Sequence, residues 1–231
     1  NILSLQGYSP IKDLQENLGL PVVVANDATL AALAEYKFGL KKSVANMVYL
    51  TLSTGVGGGQ IIDGKMHNGS RGFAAEWGHL TLDFNGYKCN CGSTGCFETY
   101  CSGPSIIRIA ETMLSETSVE STLNQHLENL TPLKIASAAR QGDRFSIELW
   151  DKIGSYLGVA LSVILNTLDP EVIVIGGGVS SALDLMMKAA DQEIKTRALY
   201  PYDNDIPVVS AKLGDEAGLI GAAALAFDNI N

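Results

Sequence analysis

Basic charge is scarce in this chain of 231 residues: 16 lysines and arginines stand against 25 aspartates and glutamates, giving a formal net charge of −9 and a pI near 4.8. No lysine or arginine cluster supplies the basic stripe on which nucleic-acid readers depend, so no nucleic acid is expected to bind through this chain. Long apolar runs are also missing. None approaches the roughly 18–20 residues that cross a bilayer, and no charged segment precedes an apolar one at Asn1. The expectation is a cytoplasmic protein with no membrane partner, in a compartment where thiols stay reduced. Cysteine is sparse at four residues, yet three of the four fall within eight positions. With 46% hydrophobic residues and 24 glycines, the composition is that of an α/β enzyme with a substantial core.

The clustered cysteines carry the strongest local signal. Glu76-Trp77-Gly78-His79 is followed, ten residues after the histidine, by Cys89-Asn90-Cys91-Gly92-Ser93-Thr94-Gly95-Cys96-Phe97-Glu98. Cys89 and Cys91 are too close in sequence to pair readily with each other in a disulfide. One imidazole and three thiolates, from His79, Cys89, Cys91 and Cys96, make a complete ligand set for tetrahedral zinc. Cys101 lies outside that spacing and reads as a small buried hydrophobe. Glu76 and Glu98 flank the knuckle, either as holders of sugar hydroxyls or as solvated surface acids.

Periodicity sets out the elements. Residues 9–19 read as a short amphipathic helix, and Pro21 introduces Val22-Val23-Val24-Ala25, an apolar run of the buried-strand type that stops at Asn26-Asp27. An alanine-rich helix follows from Ala28 to about Phe38, closed by Gly39. Met47–Ser53 reads as a strand that turns through Thr54-Gly55-Val56-Gly57-Gly58-Gly59 and returns at Gln60–Asp63. The Asp63-Gly64 turn leads to a further short strand, and His79–Asp83 is expected to add another. From Gly103 to about Leu168 the chain is mostly helical. The strand Val172–Ile175 enters the turn Gly176-Gly177-Gly178-Val179, a helix spans about Leu183–Ala198, a strand Ile206–Lys212, and a small-residue helix Glu216–Phe227.

Several of these positions suit phosphate chemistry. Glycines after Thr54 let backbone N–H groups approach phosphate oxygens with help from the Thr54 hydroxyl, or simply turn a hairpin; the segment lacks the Gly-Lys-Ser/Thr ending of a P-loop. Gly176-Gly177-Gly178 offers the same choice, and two such turns at strand ends favour a nucleotide cleft. Asp27 stands at a strand's carboxyl end, where open α/β sheets gather ligands. It suits a general base on a substrate hydroxyl, or the N-cap of the alanine-rich helix.

In order and spacing, Asn26-Asp27-Ala28, Thr54–Gly59, Asn68–His79, the knuckle with Glu98, and Gly176-Gly177-Gly178-Val179 together resemble the ROK family of sugar kinases and sugar-responsive repressors. The bacterial glucokinase branch is the nearest in pattern. The resemblance covers essentially the whole chain and implies the two-lobed, α/β actin-like ATPase (ribonuclease H-like) fold. It implies ATP-dependent phosphorylation of a hexose, with Asp27 taking the proton from the attacking hydroxyl. Asn26, Glu76, His79 and Glu98 would hold the sugar. Thr54 and Gly55 would approach phosphates, Gly176 and Gly177 would lie near adenosine, and Mg²⁺ would accompany ATP. The structural Zn²⁺ on His79, Cys89, Cys91 and Cys96 would order the sugar-binding loop. A homo-oligomer, dimer or tetramer, is the implied assembly.

On that pattern residues 1–44 are the remaining part of the N-terminal lobe. Residues 45–215 form the C-terminal lobe, with the zinc knuckle at 79–96 and a helical insertion, and 216–231 form a helix expected to pack back on the first lobe. Two departures stand out. Ala75 replaces a common family glycine, and the family's Asp-x-Gly-Gly-Thr phosphate hairpin is nowhere in the sequence. The expectation is that the first lobe is incomplete and that these 231 residues alone have little kinase activity. The alternative reading is the sugar-sensing effector domain of a ROK repressor.

Overall fold

The computed structural model describes residues 9–116, 120–125, 127–199 and 206–229. Residues 117–119 and 126 of the expected helical stretch, and the domain ends 1–8 and 230–231, lie outside the described residues. Helix α1, Pro10–Leu18, starts where Ser9 accepts the Lys12 amide and stops at Gly19, which takes the left-handed conformation at φ 63°. The run Val22–Ala25 is not a strand. No segment among the described residues pairs with it, Val23 and Val24 are 44% and 59% exposed, and an apolar run becomes a strand only when a neighbour completes its ladder. Helix α2, Asp27–Ala34, passes into a π-helical turn, Glu35–Gly39.

The sheet has five strands in the order β3-β2-β1-β4-β5. Strands β1 (Met47–Leu52), β2 (Val56–Ile62) and β3 (Lys65–Met66) form an antiparallel meander, and β4 (Val172–Gly176) and β5 (Val208–Ser210) add in parallel on the other side. Successive side chains of β1 go to opposite faces. Val48, Leu50 and Leu52 enter the larger core, while Met47 and Tyr49 enter a smaller one with Ala31, Ala32 and Tyr36.

The hairpin differs from the sequence expectation. Gly57, Gly58 and Gly59 are inside β2, and the turn is only Ser53–Gly55, where the Ser53 amide bonds the Gly55 carbonyl at 2.9 Å. The glycines keep the strand bare on both faces. A Cβ on Gly59 would stand 2.5 Å from that of Ala32, and one on Gly58 would stand 2.3 Å from Trp77 Cδ1. The expected strand at His79–Asp83 is likewise absent. Trp77–His79 is a 3-10 turn, and Thr81 makes one isolated bridge to Cys96, because the knuckle folds back too tightly for a ladder.

Helices α3 (Glu98–Cys101), α4 (Gly103–Glu116), α5 (Pro132–Arg140), α6 (Arg144–Leu168) and α7 (Leu183–Arg197) cover the larger core. The α6–α7 contact is close because Gly154 and Gly158 have no side chain. A Cβ there would meet the carbonyl oxygens of Met186 and Ala190 at 2.3 and 2.4 Å. Helix α8, Ala217–Asp228, lies on α2 in the same manner, with Gly221 against the Leu30 carbonyl.

Candidate active site

Asn26 supplies the cap of α2. Its Oδ1 accepts the amides of Ala28 and Thr29 at 2.9 and 3.2 Å, so Asp27 is the first helical residue and not the cap. The carboxyl group of Asp27 keeps one local bond, from the Ala28 amide at 2.8 Å, and lines a cavity of about 470 Å³. The cap uses the side-chain oxygen of Asn26, and Asn26 also lines that cavity. Glu76, His79 and Glu98 line the same space, together with Thr54 and Gly55 of the β1–β2 turn. Residues separated by up to 72 positions therefore meet around one polar cavity, although most of them are exposed.

Glu98 joins the knuckle to the hairpin. Its Oε2 accepts the Val56 amide at 3.0 Å and would stand 2.7 Å from any Cβ on Gly55. A residue larger than glycine would therefore displace the glutamate from the turn. Its Oε1 lies 4.0 Å from Cys89 Sγ.

The ligand atoms of His79, Cys89, Cys91 and Cys96 lie within 4.8 Å of one another. Cys91 and Cys96 sulfurs are 3.7 Å apart, and Cys89 Sγ is 3.8 Å from His79 Nδ1. Ligands about 2.0–2.3 Å from one tetrahedral ion stand roughly 3.3–3.8 Å apart, so the two shortest pairs already have that spacing and the cluster as a whole is compatible with one zinc ion after a small contraction. Burial and neighbouring thiols push Cys96 up to about 12, whereas the Ser93 amide and the Cys89 thiol lower Cys91. A divalent cation would favour the thiolate of both. Nδ1 is the ring nitrogen of His79 that lies near Cys89 Sγ, and His79 also lines the cavity. Cys101 is fully buried, donates to the Ile153 carbonyl at 3.7 Å, and has its thiol pushed up by burial.

Two further clefts adjoin. One of about 210 Å³ contains Asp27, Tyr49, Thr51, Ser53, Gly177, Gly214 and Asp215. Gly177 has φ 84°, and a Cβ there would stand 2.3 Å from the Leu52 carbonyl oxygen, so glycine is required for the chain to pass. The other, about 490 Å³, is apolar and is walled by Pro104, Ile107, Pro132, Leu133 and Val179 with Thr54 and Gly178 at its edge. Gly176 differs from its neighbours. It closes β4, where a side chain would collide with the Tyr49 hydroxyl at 2.6 Å, so its lack of a side chain serves packing. Sequence reasoning missed Tyr49, Asp215 and the apolar wall. Only the Thr131-Pro132 helix start near Leu133, itself 66% exposed, hinted at the wall.

These features define an α/β protein of the actin-like ATPase class, the fold of the ROK sugar kinases it resembles in structure. The sequence profile of the ROK family matches residues 5–229, and the chain belongs to that family. It is 42% identical over 221 residues to a glucokinase of Halalkalibacterium halodurans, covering 94% of this chain and 67% of the relative. The crystal structure of a ROK family glucokinase from Streptomyces griseus in complex with glucose and AMPPNP superposes with a TM-score of 0.82 at 34% identity, over 94% of this chain and 72% of that one. A xylose repressor of Bacillus subtilis is 29% identical over 216 residues, 94% of this chain and 53% of the repressor.

Proposed function

We propose that this protein transfers the γ-phosphoryl group of ATP to a hexose, in the manner of a glucokinase. The observation that carries the reading is the release of Asp27 from capping by Asn26, which places a carboxyl group on the cavity wall with Glu76, His79 and Glu98. In this reading Asp27 is the base that accepts the proton of the attacking hydroxyl. The Asn26 amide, Glu76, Glu98 and the second nitrogen of His79 hold the remaining hydroxyls. Thr54 and Gly55 approach the phosphates from the hairpin turn, and Gly177 borders the same path. Adenosine rests near Gly176 and Gly177, its base against the apolar wall at Pro104, Ile107 and Leu133. Mg²⁺ enters with ATP and offsets its charge.

Zinc held by His79, Cys89, Cys91 and Cys96 supplies no chemistry in a closed four-ligand site. Bound there by these four residues, the ion would hold the Trp77–His79 turn that follows Glu76 against the segment leading to Glu98. The similarity to the H. halodurans and S. griseus glucokinases supports the kinase reading. The similarity to the B. subtilis xylose repressor supports a second one, in which the same cavity senses a sugar without turning it over.

The deciding experiment is sugar-dependent ADP release by the full-length protein with ATP and Mg²⁺, using glucose, N-acetylglucosamine, N-acetylmannosamine and fructose, with Asp27→Asn alongside. Turnover of one sugar that disappears in the variant upholds the kinase reading. Sugar binding without turnover moves the assignment to the sensor.

A further inference from the structure

Glu35 is a buried carboxyl group that the reaction above does not use. It is 1% exposed and begins the π-helical turn that ends the helix carrying Asp27. Its Oε1 accepts the backbone amides of Lys212 at 2.8 Å and Leu213 at 2.7 Å. Its other oxygen faces Gly39, where a Cβ would stand only 2.0 Å away, and Lys212 Nζ donates to the Gly39 carbonyl at 3.0 Å. Two segments 177 residues apart in sequence are fastened here at one buried point.

Placing a carboxyl group in a protein interior is costly unless its oxygens are bonded, so a position serving only to pack would be filled more cheaply by an apolar side chain. The π-turn is itself an unusual way to end a helix and is found disproportionately at functional sites. What the carboxyl group holds explains the arrangement. Lys212 and Leu213 lead directly into Gly214 and Asp215, which line the 210 Å³ cleft with Asp27 and Gly177. Glu76, His79 and Glu98 belong to the neighbouring cavity and not to this cleft, so the turn borders the nucleotide side. Tyr49 lines the cleft too and feels the charges of Glu35 and Asp27, although burial is the main cause of its raised pKa.

We propose that Glu35 is a positioning residue: by gripping the Lys212 and Leu213 amides it fixes the Gly214–Asp215 turn relative to Asp27 and so sets the width of the cleft that receives the phosphates. The effect on phosphates rests on the kinase reading, whereas the grip on the turn does not.

The test compares Glu35→Ala, Glu35→Gln and Gly39→Ala in the full-length protein, by amide hydrogen exchange across Lys212–Gly218 and by steady-state kinetics. Glu35→Ala removes the acceptor, and Gly39→Ala drives a methyl group into its oxygen. Both are expected to lose protection at Lys212 and Leu213 and to raise the KM for ATP about tenfold, with the hexose KM changed less than about twofold. Glu35→Gln keeps an oxygen for both amides and is expected to stay within about threefold of the parent. Unchanged protection, or an equal rise in both KM values, overturns the proposal. If the parent protein releases no ADP with any hexose, the kinase reading fails and exchange alone decides: protection lost in both disruptive variants upholds the grip, and protection kept removes it. Should Glu35→Ala fail to fold, Gly39→Ala and Glu35→Gln carry the comparison.

Discussion

Gly59 of β2 lies so close beneath Ala32 of α2 that a methyl group on the glycine would stand 2.5 Å from the alanine Cβ, with the Thr29 Cα at 3.0 Å behind it. The helix that carries Asp27 therefore rests on a strand stripped of side chains, and the height of Asp27 above the sheet is set by that contact. Because the space is blocked by the Ala32 Cβ, which cannot rotate away, and by backbone atoms of Thr29 and Ala28, Gly59→Ala must lift the helix. Overpacking of this kind costs about 1–3 kcal/mol. Denaturant unfolding should show that loss together with a fall in kcat. A variant within about 0.5 kcal/mol of the parent would show that α2 has room to spare.

The knuckle makes a separable prediction. Metal analysis of the purified protein should find one zinc per chain, and Cys96→Ser should lose it. Cys101→Ser should keep it, since Cys101 bonds the Ile153 carbonyl and is not in the cluster. Losing a structural ligand should lower the Tm by about 5 °C or more and weaken hexose binding through Glu76 and Glu98. Equal zinc content in Cys96→Ser and the parent would remove the site.

How far the sequence disclosed this arrangement depends on whether the signal was local. The knuckle was legible because four ligand-forming residues at short spacing have few other uses, and the ligand atoms do converge. Ser9, Pro10 and Gly19 marked the bounds of α1 for the same reason. The glycine run was legible as special but was placed in the turn, because nothing local tells a glycine that bends the chain from one that admits a helix. Val22–Ala25 had the composition of a strand, yet pairing depends on a neighbour and not on composition. Asp27 and Asn26 were both seen, while the choice of which one caps required the geometry. The apolar wall and the Glu35 grip join segments far apart in sequence, and no window of residues contains them.

Glu98 connects both halves of the cavity. It reaches the knuckle side through its own helix and the β1–β2 turn through the Val56 amide at 3.0 Å. On the proposed kinase reading, Glu98→Ala should accordingly raise the KM for the hexose and for ATP together, each about tenfold, because it would remove a proposed sugar contact and leave a hairpin amide without its acceptor. Glu76 has no hydrogen bond to the hairpin among the described residues, and Glu76→Ala should raise the hexose KM alone. If both variants leave the ATP KM unchanged, the bond to Val56 does not govern the turn.

Acid stability should depend on Asp143, which caps α6 and ties down the segment before it. Burial alone would push its pKa up. The amides of Ser146 and Thr122, each at 2.8 Å, and the Ser121 hydroxyl at 3.2 Å outweigh that and hold it below the ordinary carboxylate value. A folded pKa below the unfolded one, about 3.9, means that the carboxylate stabilises the protein above that pH. The contribution then fades as pH falls through the folded value. Asn at this position retains a capping oxygen but no charge. The parent should therefore exceed Asp143→Asn by about 1 kcal/mol near pH 7, a modest figure because the group is partly exposed to water. Denaturant unfolding at a series of pH values should show this gap closing toward pH 2. A gap that stays constant across the series would mean that the shape of the side chain matters and its charge does not.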